Sequence, residues 1–149
     1  MHVVIVGGGV GGLTTALALE RAGIGSTVLE QGSGAGELGV GFNLLPHAVR
    51  VLDGLGLAAE LANVGIATTD LTYAHRLGQP ILRRPCGVAA GFSFPQVAGH
   101  RGRVHRMLTE AVRARLGPDA IRTRHRFAGV EHSDGGVRVR FDDDALPEA

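Results

Sequence analysis

The feature that most constrains the fold of this chain is a run of glycines placed directly after a short apolar segment at the N-terminus. Residues His2 to Val6 read HVVIV, and the next six residues read GGGVGG. A strand that is apolar on both faces is typical of the middle of a parallel sheet. A helix is predicted over Leu13 to Ala22, with Gly23 ending it. The pattern predicts an α/β fold with a parallel sheet that begins with a Rossmann-like βαβ unit.

Within the glycine run, the spacing Gly7-x-Gly9-x-x-Gly12 is the dinucleotide-binding fingerprint, in the required strand–turn–helix context. Gly7 permits the tight turn, Gly9 lets a pyrophosphate approach the backbone, and Gly12 allows close helix–strand packing. The start of the helix adds free N–H groups and a partial positive charge. We therefore expect Gly7, Gly9, Val10, Gly11 and Gly12 to bind the phosphates of a dinucleotide.

An acidic residue stands where such a site needs one. A second strand is predicted over Ser26 to Leu29 and ends in Glu30, 18 residues after Gly12. A carboxylate there accepts hydrogen bonds from the adenosine ribose and disfavours the 2′-phosphate of NADP. We include the adjoining Gln31 in the predicted cofactor site. A glycine-rich turn without a ligand is disfavoured, since each glycine costs roughly 0.5–1 kcal/mol of conformational entropy.

The fingerprint alone does not separate NAD from FAD, but the next segment favours FAD. A glycine-rich loop follows Gln31 and leads to Pro46, a good first residue for a helix over Pro46 to Leu55. An NAD-binding domain would instead continue into a third strand–helix unit soon after the acidic residue.

Two runs resemble the FAD-dependent aromatic-ring monooxygenases of the p-hydroxybenzoate and salicylate hydroxylase type. Leu38 to Leu57 (LGVGFNLLPHAVRVLDGLGL) is similar to their flavin-flanking segment. Ala90 to Leu108 (AGFSFPQVAGHRGRVHRML) is similar to their His-Arg segment, which opens a long helix. Together the runs look most like the phenazine-ring hydroxylase subgroup, and the resemblance covers nearly the whole chain.

The resemblance implies roles for residues beyond the fingerprint. Gly39, Val40 and Gly41 would pass close to the ribityl chain and the flavin ring, and Arg101 would contact the phosphate and ribityl region of FAD. His47 stands where asparagine is common in the family, and an exposed helix residue is favoured over one that reaches the active-site cavity. The resemblance further implies NAD(P)H as electron donor and a small aromatic substrate, and it assigns no catalytic residue.

The resemblance also predicts the domain organisation. Residues 1–149 would be the N-terminal FAD-binding portion, in which residues 68–98 begin an antiparallel substrate-domain sheet. Two later family segments, a D-G-x-x-S-x-x-R segment and a Gly-Asp segment, are not found, so we expect a truncated chain with little or no hydroxylase activity. The alternative is a stand-alone FAD- or NAD-binding module without catalysis. In either case, we expect exposed sheet edges to allow self-association.

Composition excludes several other functions. The 15 basic residues, all arginine, nearly balance 14 acidic ones, so no global field favours nucleic acid or an anionic membrane. The seven histidines show no metal-ligand spacing, and the single cysteine, Cys86, allows no intrachain disulfide. With no basic leader and no apolar run of about 18–20 residues, we expect a cytoplasmic protein without metal, nucleic-acid or membrane partners.

Overall fold

The computed structural model describes residues 1–33, 40–133 and 135–142. It divides into two compact units, one made of Met1–Gly36 with Leu108–Ala149 and the other of Glu37–Met107. In chain order the elements are β1 (His2–Val6), α1 (Val10–Arg21), β2 (Gly25–Leu29), β3 (Gly41–Leu44), α2 (Pro46–Gly54), α3 (Ala58–Val64), β4 (Gly65–Thr68), β5 (Asp70–Ala74), β6 (Pro80–Pro85), β7 (Gln96–His100), α4 (Arg101–Leu116), β8 (Ile121–Arg122), β9 (Arg126–Ser133) and β10 (Gly136–Asp142).

The first unit contains the predicted parallel βαβ arrangement. Strands β1 and β2 pair in parallel, with Val3 opposite Ser26, and β8 pairs in parallel with the other edge of β2. Helix α1 connects β1 to β2 and buries Leu13, Ala16 and Leu17, the apolar face that the 3.6-residue period predicts. The α/β fold class is therefore confirmed.

Within the described residues, β1 does not lie in the middle of its sheet, where the sequence predicts it. In the described chain the strand order is β1-β2-β8, so β1 lies at one end of the sheet and β2 in the middle. Val4 and Val6 are 42% and 50% exposed, while Val28 of β2 is fully buried. A run of β-branched residues predicts a strand. Whether both faces of that strand are buried depends on which other elements pack against it, and the run does not contain that information.

The second unit is built around an antiparallel sheet of order β3-β7-β4. The sequence predicts a glycine-rich loop up to Pro46, whereas residues 41–44 form β3, in which Gly41 pairs with His100 and Leu44 with Val97. The prediction was wrong because glycines weaken the local strand signal, while pairing with a distant strand supplies the hydrogen bonds. Helix α2 begins at Pro46 as predicted and buries Val49 and Leu52.

Antiparallel pairing also joins β5 and β6 into a hairpin, in agreement with the antiparallel strands expected near residues 68–98. The Arg83 guanidinium lies 3.2 Å from Asp70 Oδ2 and lowers the pKa of that exposed carboxyl through a hydrogen bond and its charge. This ion pair joins the two strands of the hairpin.

Helix α4 shows the four-residue apolar spacing that predicted it. The sequence predicts this helix over Arg103 to Leu116. In the structure it begins at Arg101, and Val104, Leu108 and Val112 are all fully buried. Gly117 follows with a φ of +95°, a conformation that favours glycine and ends the helix. After α4, the sequence predicts a hairpin of Arg124 to Glu131 and Val137 to Phe141, and β9 and β10 pair antiparallel there.

Candidate functional site

The turn between β1 and α1 has the backbone geometry that the fingerprint requires. Gly7 has a φ of +102°, and its N–H donates to the Leu29 carbonyl at 2.7 Å. Gly9 precedes α1, and its carbonyl accepts from the Leu13 N–H at 3.0 Å. No side chain caps the helix at Gly9, and its first turn contains no acidic residue. The start of α1 therefore presents backbone donors suited to an anion.

The glycines of this turn differ in what an added Cβ would meet. At Gly12 a Cβ would overlap the Gly7 carbonyl oxygen and lie 3.3 Å from Ile5 Cγ2, so this glycine allows the predicted close packing. At Gly9 and Gly11 a Cβ would meet no described atom within 4 Å. The space beside Gly9 is thus open, as expected where a pyrophosphate approaches the backbone.

Glu30 lies directly after β2 and holds this turn through its side chain. Its Oε2 accepts a hydrogen bond from the Gly8 N–H at 2.7 Å, and its Oε1 accepts one from the Gly32 N–H at 2.8 Å. A carboxylate oxygen has two lone pairs, so each oxygen keeps the capacity to accept from a ribose hydroxyl. The neighbouring Gln31 is exposed.

Gly8, which the glycine run places among the residues that let phosphates approach, donates its N–H to the Glu30 carboxylate. A Cβ at Gly8 would lie 3.0 Å from Glu30 Cβ and 3.2 Å from Glu30 Oε2. A side chain there would therefore displace the carboxylate. The signal in the sequence is a glycine between Gly7 and Gly9, at a position that the fingerprint leaves free.

The remaining predicted residues belong to the other unit. The Arg101 N–H donates to the Val40 carbonyl at 3.0 Å, and Gly41 pairs with His100, so the β3–α4 junction brings these residues together. The Arg101 side chain is exposed at the start of α4. The buried His100 Nδ1 has no hydrogen-bond partner among the described residues. Gly39 lies outside the described residues.

The described part of the chain holds neither a metal-binding cluster nor a membrane-spanning helix. No group of three or more His, Cys, Asp or Glu side chains could hold a metal ion there. Among the described helices, none combines the length and the apolar character needed to cross a membrane.

Hydroxylases and monooxygenases that act on aromatic acids are similar to this chain in sequence. A phenazine 1,6-dicarboxylic acid hydroxylase of Lysobacter antibioticus is 46% identical over 138 residues, which are 92% of this chain and 34% of the relative. A 3-amino-4-hydroxybenzoate 2-monooxygenase of Streptomyces cremeus is 34% identical over 152 residues, covering 100% of this chain and 38% of the relative. The chain thus spans about a third of the length of these relatives.

A solved structure supports the fold. HpxO of Klebsiella pneumoniae, in complex with FAD and uric acid, superposes with a TM-score of 0.78 at 23% identity and covers 97% of this chain and 36% of that one. The resemblance to flavin-dependent aromatic hydroxylases is confirmed by these relatives. Because the sequence pattern of the family described as "FAD binding domain" matches residues 1–148, this chain belongs to that family.

Proposed function

We propose that this chain binds FAD as the N-terminal part of an NAD(P)H-dependent flavin monooxygenase that hydroxylates a small aromatic ring. The observation that carries the proposal is the β1–α1 turn, where an uncapped helix start and an open space beside Gly9 lie next to Glu30. The family match over residues 1–148 supports FAD as the dinucleotide. The aromatic substrate class rests on the names of relatives that this chain spans in part.

The described residues fit the chemical groups of FAD. The first N–H groups of α1, at Val10, Gly11 and Gly12, would bind the pyrophosphate, and Glu30 would accept from the adenosine ribose. In the second unit, the extended backbone at Val40 and Gly41 would pass beside the ribityl chain. Residues Gly7, Gly9, Gln31, Gly39 and Arg101 complete the proposed set.

The position of Arg101 at the start of α4 gives an electrostatic reason for it to bind a phosphate of FAD. A cation at the first residue of α4 opposes the partial positive charge of the helix start. A bound phosphate would offset both charges, and the guanidinium fork can bind two of its oxygens. When bound, FAD supplies the redox chemistry, while the protein binds it, orients it and excludes water.

The test of the proposal is a titration of the purified chain with FAD, followed by flavin fluorescence. We expect saturable binding, and Glu30→Gln should weaken it by about tenfold, since one accepting oxygen becomes an amide group that faces backbone donors. The matched control is Glu110→Gln on the exposed face of α4, which should leave the affinity unchanged. Tighter binding of NAD than of FAD would contradict the proposal and favour the stand-alone module.

Hydroxylation by this chain alone is expected to be absent. The proposed parent enzyme needs a shielded cavity around flavin and substrate, and the chain spans about a third of its relatives. Oxidation of NADH or NADPH in the presence of aromatic acids should therefore yield no hydroxylated product by mass spectrometry. A hydroxylated product from the purified chain would show that these residues suffice.

Self-association is the second part of the proposal. Within the described chain, strand β1 pairs with β2 along one edge, and its other edge has no strand partner. The side chains of Val4 and Val6 on β1 are about half exposed. Unpaired strand edges are surfaces for pairing with another chain. Sedimentation velocity should show a mass that rises with concentration, and a constant monomer mass would contradict this expectation.

We place the protein in the cytoplasm, since its single cysteine suits a reducing compartment.

A further inference from the structure

The segment of residues 122–125, at the end of β8, lies against the segment that contains Glu30. Beyond the last paired residues of β2 and β8, the Glu30 N–H donates to the Arg122 carbonyl at 2.8 Å. The Glu30 carbonyl accepts from the His125 N–H at 2.9 Å. Both backbone polar groups of Glu30 are therefore held by the 122–125 segment, which belongs to the same compact unit.

Gly32 connects the 122–125 segment to the carboxylate of Glu30. The Gly32 carbonyl accepts from the Arg124 N–H at 3.1 Å, and the Gly32 N–H donates to Glu30 Oε1 at 2.8 Å. The other carboxylate oxygen, Oε2, accepts from the Gly8 N–H in the β1–α1 turn. Because Gly8 is linked to the 122–125 segment through Glu30, its amide reports how firmly the carboxylate is held.

Arg124 has a left-handed backbone conformation. Its φ is +61°, and it is the one non-glycine residue with a positive φ among the described residues. In an extended strand, consecutive N–H groups point to opposite edges, whereas those of Arg124 and His125 both point to residues 30–32. A left-handed conformation turns the two N–H groups to the same side. It is unfavourable for an arginine and persists only where surrounding contacts hold it.

The side chain of His125 supplies such a contact. Its Nδ1 lies 2.6 Å from the Thr123 carbonyl oxygen, and because a carbonyl oxygen only accepts, Nδ1 is the donor. This hydrogen bond spans Arg124 and closes the turn around it. The imidazole ring also packs edge-on against Phe141 of β10, with ring centroids 5.2 Å apart and an interplanar angle of 84°.

We propose that His125 is a positioning residue for the dinucleotide site. Its hydrogen bond to Thr123 holds Arg124 in the left-handed conformation, and the two N–H groups aligned in this way hold the Glu30 segment. The inference rests on the proposed role of Glu30 as acceptor for the adenosine ribose. The backbone conformation of Arg124 carries the effect, and its exposed guanidinium does not.

The first test is amide hydrogen exchange of the full chain without ligand, followed by NMR. We expect His125→Leu to raise the exchange rate of the Gly8 N–H about fivefold, since loss of one hydrogen bond loosens Glu30. Exchange in the buried part of α1, for example at Leu17, should not change. His125→Asn keeps an N–H donor for the Thr123 carbonyl and should retain the parent rate at Gly8.

Two variants of Arg124 separate the backbone conformation from the side-chain charge. Arg124→Gly removes the guanidinium and adopts a φ of +61° readily, whereas Arg124→Val removes it and disfavours that conformation. We expect the parent exchange rate at Gly8 in the glycine variant and a rise of about fivefold in the valine variant. The control is His132→Leu, which removes an exposed histidine from β9 and should leave the Gly8 rate unchanged.

The second test compares the affinities for ADP and for 2′,3′-dideoxy-ADP by isothermal titration calorimetry. ADP carries the pyrophosphate and the adenosine ribose that FAD also contains. The parent chain should prefer ADP by about tenfold, because the dideoxy probe lacks the hydroxyls that donate to Glu30. In His125→Leu and Arg124→Val this preference should fall to about twofold, with the affinity for the dideoxy probe unchanged.

Two results would overturn the positioning role. One is parent-like Gly8 exchange in both His125→Leu and Arg124→Val, and the other is an equal weakening of both probes with exchange raised uniformly along the chain. If the parent chain binds the two probes equally, the proposed ribose role of Glu30 fails. The Gly8 exchange rates would then still decide whether His125 positions the carboxylate.

Discussion

Gly12→Ala is expected to destabilise the chain by about 3 kcal/mol, a large share of the 5–15 kcal/mol that holds a typical domain folded. The added Cβ would overlap the Gly7 carbonyl oxygen and press on Ile5 Cγ2 at 3.3 Å. Relief requires α1 to move away from β1, which would disturb the buried contacts of Leu13 and Leu17. Urea denaturation followed by circular dichroism measures the change.

The matched control is Gly11→Ala, one residue earlier on α1. A Cβ at Gly11 meets no described atom within 4 Å, and alanine is a better helix former than glycine by about 1 kcal/mol. This variant should therefore be as stable as the parent or slightly more so. Equal denaturation midpoints for the two variants would show that helix–strand packing does not require Gly12.

The sequence predicted those parts of the fold whose causes are local. The spacing of Leu13 and Leu17 predicted the buried face of α1, and that of Val104 and Leu108 predicted the buried face of α4. Each of these helices has its own periodic apolar face, so the pattern can be recognised in the sequence without knowing which elements pack against it.

Features that depend on distant pairing were not predictable in the same way. Strand β3 forms because Gly41 and Leu44 find partners in β7, more than fifty residues later along the chain. Likewise, the exposed faces of Val4 and Val6 depend on which elements cover β1. Local strand propensity predicts neither the pairing of β3 with a distant strand nor the elements that cover β1.

In the candidate site, too, locally determined features were predictable and features that depend on the tertiary fold were not. The geometry of the β1–α1 turn was predictable because the φ of Gly7 and the space around Gly12 are properties of a few consecutive residues. The hydrogen bond between the Arg101 N–H and the Val40 carbonyl was not predictable in this way, since only the tertiary fold brings these two residues together. His47 is exposed on the first turn of α2, the alternative that the sequence analysis favours for this residue.

Gly9→Ala is expected to abolish measurable FAD binding, a loss of about 100-fold or more, while the chain remains folded. Gly9 has a φ of −71° and a ψ of −179°, which alanine adopts without strain, and an added Cβ meets no described atom. Alanine is a poorer residue than glycine at the start of a helix, so we expect to lose about 0.5–1 kcal/mol of stability. The methyl group would occupy the space through which the pyrophosphate approaches the backbone.

Flavin fluorescence titration and urea denaturation of the same sample separate the two effects. The matched control is Gly135→Ala in the β9–β10 turn, where an added Cβ also meets no described atom within 4 Å. It adds the same methyl group, so unchanged FAD affinity there would assign the loss to the position of Gly9. Full FAD affinity in Gly9→Ala would instead place the pyrophosphate away from this turn, and an unfolded Gly9→Ala would mean that the glycine serves the fold and not the ligand.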